Sequence, residues 1–125
     1  MSTIPEELYY TKTHEWLRKE SEGYRIGITD HAQAELTDIV YVEFEETGRM
    51  VKAGDVVASV ESVKTVSEIY APLDGNIVSV NENISKNPER INRDPYGDGW
   101  FVLIKPSSES AALLSASEYR KVIGE

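Results

Sequence analysis

The stretch ESVKTVSEIYAPLDG, residues 61–75, carries a lysine where two runs of alternating apolar and polar residues meet. Such alternation is typical of half-buried β-strands, so residues 56–61 and 66–70 predict the two arms of a hairpin. Tight hairpins usually turn on Asn-Gly, Asp-Gly or Gly-Gly, yet residues 63–65 read Val-Lys-Thr. This departure raises the question of why Lys64 stands at the turn.

The length of the turn decides which side chains share a face of the predicted hairpin. A two-residue loop, Val63-Lys64 or Lys64-Thr65, brings the more apolar residues of both arms to one inner face, because side chains alternate along a strand. An odd loop would separate them, so we predict the even loop with the lysine exposed at its apex. The predicted inner set is Val56, Ala58, Val60, Ser67, Ile69 and Ala71, and the outer set is Val57, Ser59, Glu61, Val66, Glu68 and Tyr70.

The remaining sequence predicts a mainly β fold with helical additions, an α+β sandwich or flattened barrel. Residues 81–99 are rich in Asn, Pro and Gly and predict a long connection with one helical turn near 88–91. No linker divides the chain, so we expect residues 1–125 to form a single domain around the hairpin 56–71. Further strands are predicted at 14–19, 24–28, 39–44, 76–80 and 100–104, a capped helix at 29–36, and C-terminal helical pieces near 109–114 and 116–123.

The composition argues against several classes of function. Against 13 basic residues stand 22 acidic ones, and the net charge of −9 disfavours binding to nucleic acid or to anionic membranes. There is no cysteine, which excludes disulfides and thiolate nucleophiles. His14 and His31 lack metal-ligand spacing, so no metal site is expected, and both are predicted to be ordinary polar residues.

The N-terminus shows neither a basic nor an apolar signal region, and no apolar run reaches membrane-spanning length. We therefore expect a cytoplasmic protein, or one of the mitochondrial matrix if a transit peptide has been removed. No strongly apolar surface is evident in the pattern, which favours a monomer.

Three interpretations of Lys64 follow from its predicted position. An ordinary exposed lysine would make weak surface ion pairs with Glu61 and Glu68. A catalytic amine must be neutral, whereas neighbouring carboxylates favour the charged ammonium, so this role is rejected. A covalent anchor needs an exposed lysine on a stiff support, and a turn without glycine provides one. Lipoamide and biotin are both group carriers of this kind, and the position alone does not select between them.

Several further segments share a pattern with the hairpin. They are "THEW" at 13–16, "GITDHAQAEL" at 27–36, "DIVYVEF" at 38–44, "VNENI" at 80–84 and "DPYGDGW" at 94–100. In this order, and over nearly the whole chain, they resemble the glycine cleavage system H protein family. The resemblance implies a lipoyl-domain-like fold, a barrel-sandwich hybrid with a short helix in its N-terminal half and C-terminal helices.

The resemblance also implies a function. Lys64 would carry covalently attached lipoate, and Glu61 and Gly75 would be read by the lipoate-attaching enzymes. The carrier would shuttle an aminomethyl group from the glycine decarboxylase P-protein to the T-protein and pass electrons to the flavin-containing L-protein. It would be a substrate of these partner enzymes and have no catalytic residues of its own.

For the loaded arm, the resemblance implies a pocket lined by Thr13, Glu15 and Glu68, whose hydroxyl and carboxylate oxygens suit a cationic amine. The composition of this pocket is open because the chain departs from the common family pattern. The departures are Glu35 where some members have His, Thr37 where Gly is usual, and Thr65 where Ala is frequent.

Other interpretations remain open at this point. The chain would also suit a lipoyl relay or a lipoyl domain serving 2-oxo acid dehydrogenases, or an unmodified acidic β module that only binds protein. A biotinyl carrier is disfavoured, because its lysine normally stands in an Ala-Met-Lys-Met context. The acidic cluster Glu43, Glu45 and Glu46 is predicted to be a solvated edge or a docking surface for partner enzymes.

Overall fold

Two β-sheets dominate the computed structural model of the chain, which describes residues 2–45, 47–107 and 113–125. The strands in chain order are β1 (Tyr9–Tyr10), β2 (Glu15–Glu20), β3 (Gly23–Ile28), β4 (Ile39–Phe44), β5 (Met50–Val51), β6 (Val56–Ser62), β7 (Val66–Tyr70), β8 (Gly75–Val80) and β9 (Val102–Pro106). Within the described residues, one sheet has the strand order β1-β2-β3-β9-β8-β5 and the other has the order β4-β6-β7. This arrangement confirms the predicted sandwich or flattened barrel.

Short helices fill the connections, and local capping explains where they begin. They are α1 (Asp30–Leu36), α2 (Glu82–Lys86), α3 (Glu89–Arg93) and α4 (Ala116–Val122). The predicted cap of α1, which the sequence left open between Thr29 and Asp30, is Thr29, whose side chain accepts a hydrogen bond from the Ala32 N–H. Ser115 and Glu118 form a reciprocal capping box at the start of α4. No helix among the described residues is both long and apolar enough to cross a membrane.

The predicted connection at 81–99 contains more structure than expected. The helical turn predicted near 88–91 corresponds to α3, whereas α2 was missed. Its signal was the Asn81 side chain, which caps the helix by accepting a hydrogen bond from the Asn83 N–H. The strands β1 and β5 were also missed, because two residues are too few to show a period.

The helical piece predicted near 109–114 is wrong at its C-terminal end. Residues 109–112 lie outside the described residues. Leu114 instead forms an antiparallel β-bridge with Tyr10, with N–O distances of 2.8 and 2.9 Å between the two backbones. The last strand also begins later than predicted, at Val102 rather than at residue 100.

A β-bulge changes which side chains the hairpin buries. The pairs Val60–Ser67 and Ala58–Ile69 follow the predicted register, but the register shifts between Val56 and Ala58. The extra residue inverts the alternation, so Val57 is fully buried and Val56 is only half-buried. The predicted placement of these two valines was therefore wrong. The other residues of the predicted inner face are buried or half-buried, as expected.

The core is divided between two clusters of buried side chains. The larger one joins both sheets and includes Leu17, Ile26, Ile77 and Ile104 from one sheet with Val42, Val60 and Ile69 from the other. The smaller one packs α4 against the N-terminal segment around Ile4, Leu8, Tyr10, Trp16, Ala116 and Tyr119. The second cluster brings the two ends of the chain together beneath β1 and β2.

Candidate functional site

The hairpin between β6 and β7 turns on two residues, Val63 and Lys64. The flanking Ser62 donates its N–H to the carbonyl of Thr65 at 2.8 Å, and Glu61 pairs with Val66 behind them. The predicted even loop is thereby confirmed, and Lys64 lies exposed at the tip.

Ser62 explains why this turn contains no glycine or asparagine. Neither central residue has a positive φ, so the turn does not belong to the primed types that favour glycine. The Ser62 hydroxyl accepts hydrogen bonds from the backbone N–H groups of Lys64 and Thr65, at 3.1 and 3.0 Å. A serine that stabilises a turn through its hydroxyl replaces the usual turn residues here.

The tip is also tied to the end of α1. Val63 donates its N–H to the carbonyl of Asp38 at 3.0 Å, which fixes the turn against the chain that leads into β4. The ammonium of Lys64 lies 3.5 Å from the carbonyl oxygen of Glu35 in the last turn of α1. The lysine is thus exposed on a support that is hydrogen-bonded on two sides.

A cleft of about 270 Å³ lies between α1, the start of β2 and strand β7. We call it the hairpin cleft. Its apolar lining consists of Ile28, Ala32, Leu36 and Ile69. Its polar lining consists of Thr13, His14, His31, Glu35, Ser67 and Glu68. Because Glu35 both lines this cleft and contacts Lys64, the lysine stands at the mouth of the cleft.

Two of the three predicted pocket residues, Thr13 and Glu68, lie in the hairpin cleft, and the third lies behind it. Glu15 is 1% exposed and borders a wider groove of about 990 Å³ that Thr13 also lines. The hydroxyls of Thr11 and Thr13 each donate to one oxygen of Glu15 at 2.5 Å. Thr13 therefore connects the buried carboxylate to the cleft.

Burial raises the pKa of the Glu15 carboxyl above its usual range, and hydrogen bonds oppose this change. The opposing donors are the hydroxyls of Thr11 and Thr13 and the backbone N–H of Tyr70, which lies 3.4 Å from the second carboxylate oxygen. A buried carboxyl that needs three donors costs stability relative to an apolar residue, which is typical of a functional group.

Glu61 and Gly75, predicted as recognition residues, occupy different environments. Glu61 is exposed on the hairpin, between Tyr41 of β4 and Val66 of β7. Gly75 is buried at the start of β8, where a Cβ atom would approach the carbonyl oxygen of Lys105 to 2.3 Å. The structure gives this glycine a packing role, and recognition of either residue by an enzyme stays a prediction.

The outer face of the three-stranded sheet is exposed around the tip. One row across the strands consists of Tyr41, Glu61 and Val66, and the next of Glu43, Ser59 and Glu68. Tyr41 and Val66 are large hydrophobic side chains that remain 51% and 62% exposed. Three carboxylates lie in the same two rows. We call these two rows the outer face of the hairpin sheet.

The histidines, which the sequence suggested were ordinary polar residues, meet inside the hairpin cleft. The ring centroids of His14 and His31 are 5.0 Å apart, and His31 lies 3.6 Å from the Glu35 carboxylate. No pattern in the sequence signals this, because the two rings approach only when α1 packs beside β2. Within the described residues, no group of three or more His, Cys, Asp or Glu side chains could hold a metal ion.

A two-sheet β fold with a lysine at a stiff hairpin tip, beside a cleft, has the architecture of a lipoyl-type carrier protein. The family described as "Glycine cleavage H-protein" matches residues 8–125. A glycine cleavage system H protein of Shewanella frigidimarina is 52% identical, covering 100% of this chain and 99% of its own length. A probable glycine cleavage system H protein of Thermoplasma acidophilum is also 52% identical, over 98% of both chains.

A crystal structure of a glycine cleavage system H protein from Mycobacterium marinum agrees with the fold. Its TM-score is 0.90 at 40% sequence identity, and the match covers 98% of this chain and 100% of that one. The chain therefore belongs to the glycine cleavage H-protein family, a family of lipoyl carrier proteins.

Proposed function

We propose that this chain carries a lipoyl group on Lys64 and shuttles an aminomethyl group from the P-protein to the T-protein of glycine cleavage, and electrons to the L-protein. The observation that carries the proposal is the position of Lys64, exposed on a hydrogen-bonded two-residue tip at the mouth of the hairpin cleft. The carrier unit is the whole of residues 1–125, because both sheets contribute to the larger core cluster.

The lining of the hairpin cleft fits such a group. When bound, a lipoyl group supplies a reducible disulfide, one sulfur of which accepts the aminomethyl group. The apolar side chains of Ile28, Leu36 and Ile69 suit an acyl chain. The oxygens of Thr13 and Glu68 suit a cationic amine, since ammonium groups are donors only.

The buried carboxylate of Glu15, which is hydrogen-bonded to Thr13, supports the same proposal. The Thr13 hydroxyl uses its proton to donate to Glu15, so the lone pairs of its oxygen can accept from a donor in the cleft. A negative charge one hydrogen bond away strengthens that acceptor. Thr13, Glu15 and Glu68 would together hold the charged end of the arm.

Partner enzymes would approach Lys64 across the outer face of the hairpin sheet. The face combines exposed Tyr41 and Val66 with the carboxylates of Glu43 and Glu61. Such a surface fits a partner with basic side chains around an apolar contact. Glu61 would also be read here by lipoate-attaching enzymes, since its side chain is accessible, whereas Gly75 would act indirectly through the packing of β8.

The test is the intact mass of the protein before and after incubation with a lipoate–protein ligase, ATP and lipoic acid. We expect a gain of one lipoyl amide in the wild type, no gain in Lys64→Arg, and an unchanged gain in Lys52→Arg, which alters another exposed lysine. The modified protein should then support glycine-dependent turnover with P-, T- and L-proteins.

The possible outcomes separate the proposal from its alternatives. If the protein is modified but serves only a 2-oxo acid dehydrogenase, the chain is a lipoyl carrier of another pathway. A protein that gains no mass, while a known lipoyl domain does so in the same mixture, would be an unmodified binding module. A gain that persists in Lys64→Arg would overturn the assignment of the lysine.

A further inference from the structure

A chain of hydrogen bonds leads from the cap of α1 to His14 in the hairpin cleft. The hydroxyls of Thr29 and Tyr119 lie 2.7 Å apart, and the Tyr119 hydroxyl lies 2.8 Å from Nδ1 of His14. Thr29 and Tyr119 are both fully buried. These three residues come from the β3–α1 junction, the C-terminal helix and the segment before β2.

The buried hydroxyl of Thr29 determines which group donates in each hydrogen bond of this series. The Thr29 oxygen already accepts from the Ala32 N–H at 3.2 Å, and its own proton has Tyr119 as its one hydrogen-bond partner among the described residues. Because a buried hydroxyl proton is costly to leave unpaired, Thr29 donates to Tyr119. Tyr119 must then donate its own proton to Nδ1 of His14.

This direction assigns the tautomer of His14. A neutral imidazole that accepts at Nδ1 carries its proton on Nε2. Burial lowers the pKa of His14, and nearby His31 lowers it further, while Glu35 acts in the opposite direction. The neutral form thus agrees with the hydrogen bonding, since a proton on Nδ1 would oppose the donor from Tyr119.

The placement of His14 is also strained, which points to a role beyond packing. Its φ is +72°, a left-handed conformation that is uncommon for residues other than glycine. Nδ1 faces buried Tyr119, so the other half of this half-buried ring, with Nε2, is the part that lines the hairpin cleft. Nε2 has no hydrogen-bond partner among the described residues.

We propose that His14 is held as the Nε2–H tautomer in order to donate a hydrogen bond to a sulfur of the reduced lipoyl group in the hairpin cleft. The inference rests on the proposed function and adds to it one residue that binds the cofactor and two that position that residue. Thr29 and Tyr119 would set the tautomer, and His14 would bind the sulfur.

The geometry of α1 favours sulfur as the acceptor. Lys64 contacts the backbone carbonyl of Glu35 at the C-terminal end of the helix, whereas the backbone carbonyl of His14 accepts the Thr29 N–H at the other end. Six residues of helix separate these two points by about 9 Å. The amide oxygen of the arm would lie near the lysine, so the acceptors that reach the far end are the sulfurs. A thiolate there would be a strong acceptor.

The first test reads the tautomer by nitrogen-15 NMR of the histidine rings in lipoylated protein. We expect His14 to carry its proton on Nε2, and Tyr119→Phe to yield a mixture of tautomers. Chemical reduction of the arm should shift the Nε2–H resonance, and the same reductant should leave the resonance unchanged in Lys64→Arg. A proton on Nδ1, or a resonance that does not respond to reduction, would overturn the inference.

The second test measures the thiolate of the reduced arm by its ultraviolet absorbance as a function of pH. His14→Gln retains a side-chain donor and His14→Leu does not, and both place a non-glycine residue at the same positive φ. We expect about tenfold less thiolate at a fixed pH in His14→Leu than in wild type, and partial recovery in His14→Gln. His31, Glu35 and Glu68 also face the cleft and are unchanged in both variants.

Equal titrations in the two variants would show that His14 does not donate to the sulfur. Failure of Lys64 to accept a lipoyl group at all would instead overturn the proposed function, and this inference with it. The mass measurement therefore separates the two failures, because the histidine tests begin with protein whose modification has been verified.

Discussion

At the residue scale, two residues lower the stability of the fold. Thr37 adopts a strained backbone conformation, and Glu15 places a carboxylate in a buried position. Thr37 ends α1 with φ +64° and ψ −149°, a region of backbone space that is essentially reserved for glycine. Its N–H donates to Gln33 and its carbonyl accepts from Asn92 at 2.8 Å, so the surrounding structure holds the strained residue in place.

We expect Thr37→Gly to stabilise the protein by about 1 kcal/mol, because the relief of backbone strain exceeds the added entropy of the unfolded chain. Urea denaturation measures the free energy of unfolding. Thr65→Gly is the matched control, since Thr65 is also exposed but has no positive φ, and it should destabilise. Equal effects in the two variants would show that Thr37 is not strained.

The raised pKa of Glu15 leads us to expect a specific dependence of stability on pH. Its folded-state pKa is raised by burial, so the native state binds a proton more tightly than the unfolded chain. The free energy of unfolding therefore falls as pH rises from the ordinary glutamate pKa through the raised one. In Glu15→Gln, this part of the fall should disappear while transfer of the aminomethyl group weakens.

The measurement is chemical denaturation of wild type and Glu15→Gln from pH 4 to pH 8, with Glu7→Gln as an exposed control. A slope that is unchanged in Glu15→Gln would mean that the buried carboxyl titrates normally. Full transfer activity in that variant would remove Glu15 from the proposed pocket.

At the scale of elements, the turn of the β6–β7 hairpin is stabilised by Ser62, the residue that precedes it, rather than by glycine. The hydroxyl of Ser62 accepts from two backbone N–H groups of the tip, and Ser62 is 7% exposed. The bond from Val63 to the Asp38 carbonyl fixes the same tip to the segment after α1. Lys64 is thereby presented in a defined direction.

Ser62→Ala should destabilise the protein by about 1–2 kcal/mol, because two tip N–H groups lose their acceptor. The larger effect should be local, as faster amide hydrogen exchange at Lys64 and Thr65. Ser59→Ala is the control, as Ser59 lies in the same strand and its hydroxyl bonds to no described residue. If exchange at the tip were equally fast in both variants, the Ser62 hydroxyl would not stabilise the turn.

At the scale of the whole molecule, the net charge of −9 and the outer face of the hairpin sheet bear on how partners approach. Glu43 and Glu45 are exposed at the end of β4, and Glu46 lies outside the described residues. Long-range attraction of this kind changes association rates more than the affinity of the final contact.

Charge reversal in Glu43→Lys/Glu45→Lys should slow association with the P- or T-protein on the order of tenfold at low salt, with the difference fading as salt rises. Stopped-flow kinetics at several ionic strengths measure this effect. Glu7→Lys/Glu22→Lys is a control of equal charge change, since both residues are exposed and flank strands of the other sheet. Unchanged kinetics at low salt would exclude the acidic surface from docking.

The sequence by itself determined the features that depend on neighbouring residues. Alternation along residues 56–61 and 66–70 predicted the register and the even loop, because one face of a strand pair must be buried. The polar residues Thr29 and Asp30, either of which could cap a helix, predicted the start of α1 in the same way. Lys64 could therefore be placed at an exposed tip before any tertiary contact was known.

Only the tertiary structure decided the features that depend on distant residues. The bulge at Val57 places this residue in the core that joins both sheets, and the burial of Glu15 depends on β7 passing beside it. Likewise, His14 meets Tyr119 across 105 positions of sequence. No local pattern encodes such contacts, because they exist only when separate elements pack together. The sequence therefore predicted the position of Lys64, whereas the hairpin cleft that would hold the aminomethyl group forms only in the folded protein.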